Sequence, residues 1–158
     1  MKSNIAFTFV FFAVALVAGC KEDNRPKDLP PLFPCTVIIT QEGQPLGGAV
    51  INLVPGEGTA KYHPMSVTDD NGKVIMKTYG YDGVPAGRYK VRVWKNIVEG
   101  ETQTTDSDGE PITSGGTEYR TVDVKYSSAE TTPFEIEVTN KKAPDTTFDV
   151  GKPIKEKL

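Results

Sequence analysis

The chain has 158 residues, a length that favours a single domain. Its formal net charge of −3 leaves no basic surface for a nucleic-acid partner. A chain of this size buries about two-thirds of its unfolded surface, so it folds without a metal or a disulfide, and we expect no cofactor. Its fifteen Gly and twelve Pro indicate frequent turns and exclude an architecture of long helices.

The amino terminus has the pattern of an export signal. Lys2 precedes an apolar stretch over residues 5–18, which as a helix would span about 21 Å, short of the roughly 30 Å hydrocarbon layer of a membrane. The stretch ends in Leu16-Val17-Ala18-Gly19-Cys20, which resembles the lipobox of bacterial lipoproteins. We therefore predict a signal peptide over residues 1–19, cleavage between Gly19 and Cys20, and a lipid on the Cys20 thiol.

The residues after Cys20 concern the location of the protein. Two or three acyl chains hold a lipoprotein firmly, whereas one chain alone is marginal. Lys21, where other lipoproteins carry Asp, resembles the outer-membrane sorting pattern of bacteria with two membranes. Residues 20–34 are charged and proline-rich, which is typical of an extended tether of roughly 3 Å per residue. We expect a domain outside the cytoplasm, anchored to a bacterial membrane and most readily to the outer membrane.

The body of the chain shows short strands separated by turn signals, and no segment has helical periodicity over ten residues. The first two strands are expected to form a hairpin, and so are the next two, across Asp69-Asp70-Asn71-Gly72. About seven strands at this spacing predict an all-β fold, an antiparallel two-sheet β-sandwich over residues 35–151, followed by a polar tail over residues 152–158. The predicted strands cover residues 36–40, 49–54, 65–68, 73–79, 88–94, 119–126, 134–138 and 146–150.

One strand and one loop stand out in this pattern. Residues 88–94 alternate strictly, with Tyr89, Val91 and Val93 expected to face inward and three basic residues outward. Trp94 breaks the alternation toward the polar side. Residues 99–117 contain hardly an apolar side chain beyond Ile112, so we predict a long mobile loop there.

Four segments together resemble the transthyretin-like, or carboxypeptidase regulatory-like, domain of bacterial surface lipoproteins, an Ig-like sandwich. They are Gln44-Pro45-Leu46-Gly47-Gly48-Ala49, Thr68-Asp69-Asp70-Asn71-Gly72, Val84-Pro85-Ala86-Gly87-Arg88-Tyr89-Lys90-Val91 and Lys125-Tyr126-Ser127-Ser128-Ala129-Glu130-Thr131, with Ala129 where a proline is common. The resemblance implies a fold and a location and does not imply a reaction. The related hydroxyisourate hydrolases end in Tyr-Arg-Gly-Ser and use several histidines. This chain ends in Lys155-Glu156-Lys157-Leu158 and has one histidine, so we do not expect that activity.

The single histidine and the second cysteine are the next candidates for chemistry. His63 lies between Tyr62 and Pro64, where a surface loop position is the simplest interpretation, and one histidine cannot build a histidine-rich zinc site. Cys35 is interpreted either as a small buried residue at a strand start or as a reactive or intermolecular thiol. A nucleophile–base pair of Cys35 and His63 has no support in their surroundings.

Two carboxylate clusters are weak candidates for calcium, and no metal site is predicted. They contain Asp69 and Asp70 in one turn, and Asp106 and Asp108 in the other. The second begins like an EF-hand loop, but Thr117 occupies the twelfth position, where a bidentate Glu belongs. Turn formation explains both clusters more simply.

Three aromatic residues are the best candidates for contact with a ligand, because aromatic faces stack on apolar ligand surfaces. They are Tyr79, Tyr81 and Trp94, and the alternative is that their rings belong partly to the core. We expect a non-catalytic, lipid-anchored envelope module that binds a protein or a glycan or supports an envelope assembly. The alternatives are a purely structural spacer and a hydrolase with an unrecognised site.

Overall fold

In a computed structural model, residues 26–56, 62–141 and 145–158 are described. The predicted signal peptide, with Gly19 and Cys20, lies outside these residues. Within them, no helix combines the length and the apolar character needed to cross a membrane.

The described chain is built from strands and one 3₁₀ turn, and its strands are shorter and more numerous than the seven or so expected. Turns and prolines divide them: the segment predicted as one strand over residues 73–79 is split at Met76, which is buried. The elements are β1 (Leu32–Phe33), β2 (Thr36–Gln41), β3 (Gln44–Pro45), β4 (Val50–Pro55), β5 (Met65–Val67), β6 (Lys73–Ile75), β7 (Lys77–Thr78), β8 (Tyr81–Asp82), β9 (Val84–Pro85), β10 (Gly87–Trp94), β11 (Asn96–Thr105), β12 (Pro111–Arg120), the 3₁₀ turn Val124–Tyr126, β13 (Glu135–Val138), β14 (Thr146–Asp149) and β15 (Glu156–Lys157).

Two sheets form a sandwich, which confirms the predicted all-β fold. The first sheet has the order β13-β10-β4-β5, and the second has the order β14-β2-β3, with β6 also paired to β2. Strand β14 runs parallel to β2, whereas the other pairs between described strands are antiparallel.

The core lies between the inner faces of these sheets. Tyr89, Val91 and Val93 of β10 are buried as predicted, and the Tyr89 hydroxyl donates to the Pro85 carbonyl oxygen at 2.8 Å. Ile51 and Leu53 of β4 lie beside them in the same sheet, and Val37 and Ile39 of β2 face them from the second sheet; all four are fully buried. The alternation of side chains along each strand therefore fills one core, as the hydrophobic pattern requires.

Both predicted hairpins are wrong in their pairing. Strands β2 and β4 do not pair with each other: β2 pairs with β3, β6 and β14, and β4 pairs with β10 and β5. The turn at residues 69–72 forms as expected, but it leads from β5 in the first sheet to β6 in the second. Turn residues in a sequence predict that the chain reverses direction, but they do not predict which sheet the next strand joins.

The domain also uses residues on both sides of its predicted limits. Leu29 is buried, and β1 pairs with β9, so part of the expected tether packs on the sandwich. At the other end, β15 pairs with β12, and the Ile154 amide donates to the Thr121 carbonyl oxygen at 3.2 Å. The packed domain therefore begins before Cys35 and extends past residue 151.

The mobile loop predicted over residues 99–117 is wrong: these residues form most of a long hairpin of β11 and β12. Asp106 Oδ1 accepts hydrogen bonds from the Asp108 and Glu110 amides at 2.9 and 2.8 Å, which closes the turn with Gly109 at φ +87°. Most of the ribbon is exposed on both faces, so it has none of the apolar alternation that reveals a strand in a sequence.

Candidate ligand-binding surface

The outer face of the first sheet carries ordered rows of side chains. Because directly paired residues project to the same face, the register sets the rows. Trp94 pairs with Val50, which pairs with Val67. The next row contains Arg92, Asn52 and Met65. At the opposite end of β10, Arg88 and Lys90 pair with Glu137 and Glu135.

Part of this outer face is apolar and open to solvent. Met65 and Val67 on the edge strand β5 are 58% and 57% exposed, and the half-buried Trp94 lies in the row of Val67, on the other side of Val50. Exposed apolar side chains that lie together are typical of contact surfaces, whereas single ones are common on any protein. These three residues are called the outer apolar patch below.

Beside the outer apolar patch lies a polar hollow of about 310 Å³. This is near the lower limit of the roughly 300–1,000 Å³ found for small-molecule sites. Its walls combine one cation, one carboxylate, one imidazole and two hydroxyls over a small apolar floor. The hollow is lined by Val54, His63, Arg92, Ser127, Ser128, Ala129 and Glu130.

Arg92 is held in a defined position at the edge of the hollow. Its Nε donates to the Ser127 carbonyl oxygen at 2.6 Å, and its guanidinium lies over the Trp94 ring, 5.5 Å from the ring centroid. A cation over an indole ring is attracted to the ring face, which favours this position of the guanidinium. Within the described part of the chain, no hydrogen bond occupies its two Nη atoms.

Glu130 supplies the negative charge. Its Oε2 accepts a hydrogen bond from the Ser128 hydroxyl, and this bond, with the backbone amide of Glu130 and the Arg92 charge, lowers the pKa of the carboxyl. The group is therefore ionised at neutral pH. One positive and one negative side chain then face the same hollow.

The loop that carries Ser127, Ser128 and Glu130 is tied to β10 by hydrogen bonds. Asp123 caps the 3₁₀ turn by accepting from the Lys125 amide at 2.9 Å, and the Thr131 hydroxyl closes the loop on the Lys125 carbonyl oxygen at 2.6 Å. The buried Thr132 hydroxyl donates to the Val91 carbonyl oxygen at 2.8 Å. These bonds place the loop against the outward side chain of Arg92.

The three aromatic residues chosen from the sequence lie on different elements. Trp94 ends β10 within the outer apolar patch, on the polar side as expected. Tyr79 is exposed between β7 and β8, where its ring packs edge-on against Tyr62 with 5.6 Å between centroids. Tyr81 is half-buried in β8, across from Thr78. Trp94 lies under the Arg92 guanidinium and Tyr79 packs edge-on against Tyr62, so the rings do not form one continuous strip.

The candidate calcium ligands are engaged in their own turns. Asp69 Oδ1 accepts from the Asn71 and Lys73 amides at 3.0 and 2.8 Å, as Asp106 does in the hairpin turn. Asp70 and Asp108 are exposed next to them. Within residues 26–56, 62–141 and 145–158, no three His, Cys, Asp or Glu side chains come together to hold a metal ion.

Cys35 and His63 lie in different environments. Cys35 is 2% exposed within the core, and burial raises the pKa of its thiol to about 11. His63 is exposed in the polar hollow. The structure does not bring the two together, and the high pKa leaves almost no thiolate to act as a nucleophile.

Comparison with known proteins adds little to this geometry. No family model and no curated protein matches the chain. A crystal structure of a 9R-lipoxygenase from Cyanothece PCC8801 matches at a TM-score of 0.32 and 22% identity, over 77% of this chain and 16% of that chain. The chain thus spans about a sixth of the lipoxygenase, and a likeness this low carries no argument about function.

The sequence reasoning missed Arg92, Ser128 and Glu130 as members of one site. The available signal for Arg92 was its outward position in an alternating strand, two residues before the only tryptophan. Ser128 and Glu130 lie in one of the four segments that carry the family resemblance, but that resemblance assigned them no role in a site. Only the return of the chain beside β10 brings these residues to Arg92.

Proposed function

We propose that this chain is a lipid-anchored module of a bacterial envelope, held through Cys20 to the outer membrane, whose sandwich binds a protein or a glycan without catalysis. The apolar segment that is too short to span a bilayer and the lipobox-like residues that follow it support the anchor. The transthyretin-like resemblance of the body is part of the same proposal. Two of the motifs that carry the resemblance support it: residues 69–72 form a turn, and Tyr89 of β10 is buried in the core.

The single observation that carries the binding role is the outer face of the first sheet. There the outer apolar patch adjoins the polar hollow, so apolar area and convergent hydrogen-bonding groups meet on one surface. Ligand sites have this combination, in which apolar contact supplies affinity and a few placed polar groups supply orientation. A spacer gives no reason for either feature.

The anchor is tested by growing cells that express the full chain with an alkyne analogue of palmitate. We expect the wild type to carry the label and to remain in the membrane fraction, and Cys20→Ser to lose both. A Cys35→Ser variant is the matched control, because its buried thiol is not expected to accept a lipid. Unlabelled wild-type protein would contradict the anchor.

The binding role is tested by cross-linking the full-length protein in intact envelopes. We expect the variant with Met65→Ser and Val67→Ser to lose a defined cross-linked species. Ile112→Ser removes a comparable exposed side chain from the β11–β12 hairpin and serves as the control. Equal cross-linking in both variants would favour the spacer instead.

A further inference from the structure

The polar hollow carries one side chain of each charge, which disfavours a ligand with a single charge. Its lining includes the Nη donors of Arg92 and the carboxylate of Glu130, whose Oε1 does not receive the Ser128 hydroxyl. Arg92 is close enough to Glu130 to lower the pKa of that carboxyl. The charges of the two groups balance, so the hollow offers no net attraction to an ion of either sign.

We propose, resting on the binding function above, that the hollow binds a neutral sugar ring through two adjacent hydroxyl groups. A hydroxyl both donates and accepts, so one of the pair accepts from Arg92 while the other donates to Glu130. A carboxylate or phosphate would satisfy the guanidinium but would meet the ionised Glu130. An ammonium group would meet Arg92.

The other walls of the hollow fit the same ligand. The His63 imidazole has no hydrogen-bond partner within the described part of the chain, so it is available to a third hydroxyl. Val54 and Ala129 provide a small apolar floor for the C–H face of the ring. A volume of about 310 Å³ accommodates one ring and leaves the remainder of a glycan outside.

The side chain of Arg92 is preorganised in the protein without a ligand. Its Nε bond to Ser127 and its position over the Trp94 ring restrict the side chain, so less side-chain freedom is lost on binding. The Ser128 hydroxyl donates to Glu130 Oε2. Charged groups that neighbouring residues already hold suit a recognition site.

Trp94 is the only tryptophan of the chain, and its fluorescence therefore reports events at Arg92. The experiment titrates the full-length protein with methyl glycosides of glucose, mannose and galactose, with N-acetylglucosamine, and with glucuronate and inorganic phosphate as anionic probes. We expect a saturable change with at least one neutral sugar and at least tenfold weaker binding of both anions. A deoxy analogue that lacks one of the two adjacent hydroxyls should bind at least tenfold more weakly.

Two variants and a matched pair decide whether the hollow is responsible. Arg92→Gln and Glu130→Gln should each weaken the sugar at least tenfold. Arg88→Gln and Glu137→Gln make the same changes in an ion pair of 3.7 Å on the same face and should have no effect. Isothermal titration repeats the measurement without relying on Trp94, whose surroundings change in Arg92→Gln.

Three results would overturn the sugar proposal: no saturable response to any neutral sugar, tighter binding of the anions, or equal losses in the Arg88 and Glu137 variants. The cross-linking experiment separates this failure from failure of the binding function. If a cross-linked species depends on Met65 and Val67 but still forms in Arg92→Gln and Glu130→Gln, the binding function stands and the sugar proposal is wrong.

Discussion

Gly72 provides the sharpest test of how the two sheets are joined. It is buried at φ +69°, in the turn that carries the chain from β5 to β6. A Cβ at this position would lie 2.3 Å from the Ile39 carbonyl oxygen and 2.9 Å from the Leu46 amide nitrogen. Gly72→Ala therefore pushes the backbone of Ile39 and Leu46 away from the turn, and it also places a residue with a Cβ in a strained conformation.

The size of the effect follows from two contributions. A residue with a Cβ in the left-handed region costs about 1–2 kcal/mol. Relief of the clash must disturb the bonds Ile39 N to Gly72 O, at 2.8 Å, and Leu46 N to Ile39 O, at 2.9 Å. Each buried group left without its partner costs about 1–3 kcal/mol. With one group lost from each bond, we expect the free energy of unfolding to fall by about 3–8 kcal/mol, out of the ~5–15 kcal/mol typical of a domain.

The assay is urea unfolding followed by the fluorescence of Trp94. With a slope of about 1–3 kcal/mol per molar urea, the midpoint should fall by roughly 2 M. Gly80→Ala is the control, since Gly80 has φ +84° but nothing within 4 Å of a built Cβ, and it isolates the conformational cost. If the two variants lose the same stability, the close approach of Gly72 to Ile39 is refuted.

Three further predictions concern the core thiol, a turn carboxylate and the long hairpin. In a Cys20→Ser background, Cys35 should react with a thiol reagent at pH 8 only after unfolding, because burial raises its pKa to about 11; rapid labelling of the native protein would contradict this. Asp149 accepts from the Gly43 and Gly151 amides at 2.8 and 2.7 Å, which lowers the pKa of its carboxyl in the folded state. Its contribution to stability is therefore present above the ordinary pKa near 4 and is lost as the pH falls through and below that value. In urea unfolding, Asp149→Asn should destabilise the protein at pH 7 and much less at pH 3, whereas the control Asp108→Asn should show no such difference between the two pH values. Amides of residues 101–115 should exchange with solvent at least about a hundredfold faster than the Val91 amide of β10, because a two-stranded ribbon without a covered face is marginal by itself; equal protection by mass spectrometry would contradict it.

The fold shows where sequence patterns are sufficient. Tyr89, Val91 and Val93 alternate with basic residues, and the structure buries these three. The Asp69 side chain closes the turn that Asp-Asp-Asn-Gly predicts. Both features depend on residues within a few positions of one another, so they are visible without any knowledge of the partner strands.

The wrong predictions concern strands that have no buried side and pairings that depend on residues far apart in the sequence. The ribbon of β11 and β12 has solvent on both faces, and a strand without a buried side shows no alternation. The expected hairpins fail for another reason: β2 and β4 both have apolar inner faces, and each fills the core from its own sheet. In the same way, the polar hollow joins Arg92 to a loop that begins 35 residues further along the chain.

By itself the sequence determined that this domain is made of strands, which side chains of its central strand point inward, and where one of its tight turns falls. Those properties come from φ and ψ preferences and from the period of two along an extended chain. Only the tertiary structure decided which strands pair, that β14 lies parallel to β2, and that Arg92 and Glu130 line one hollow on the outer face. Pairing is decided by which arrangement buries every apolar face together, and that condition involves the whole chain at once.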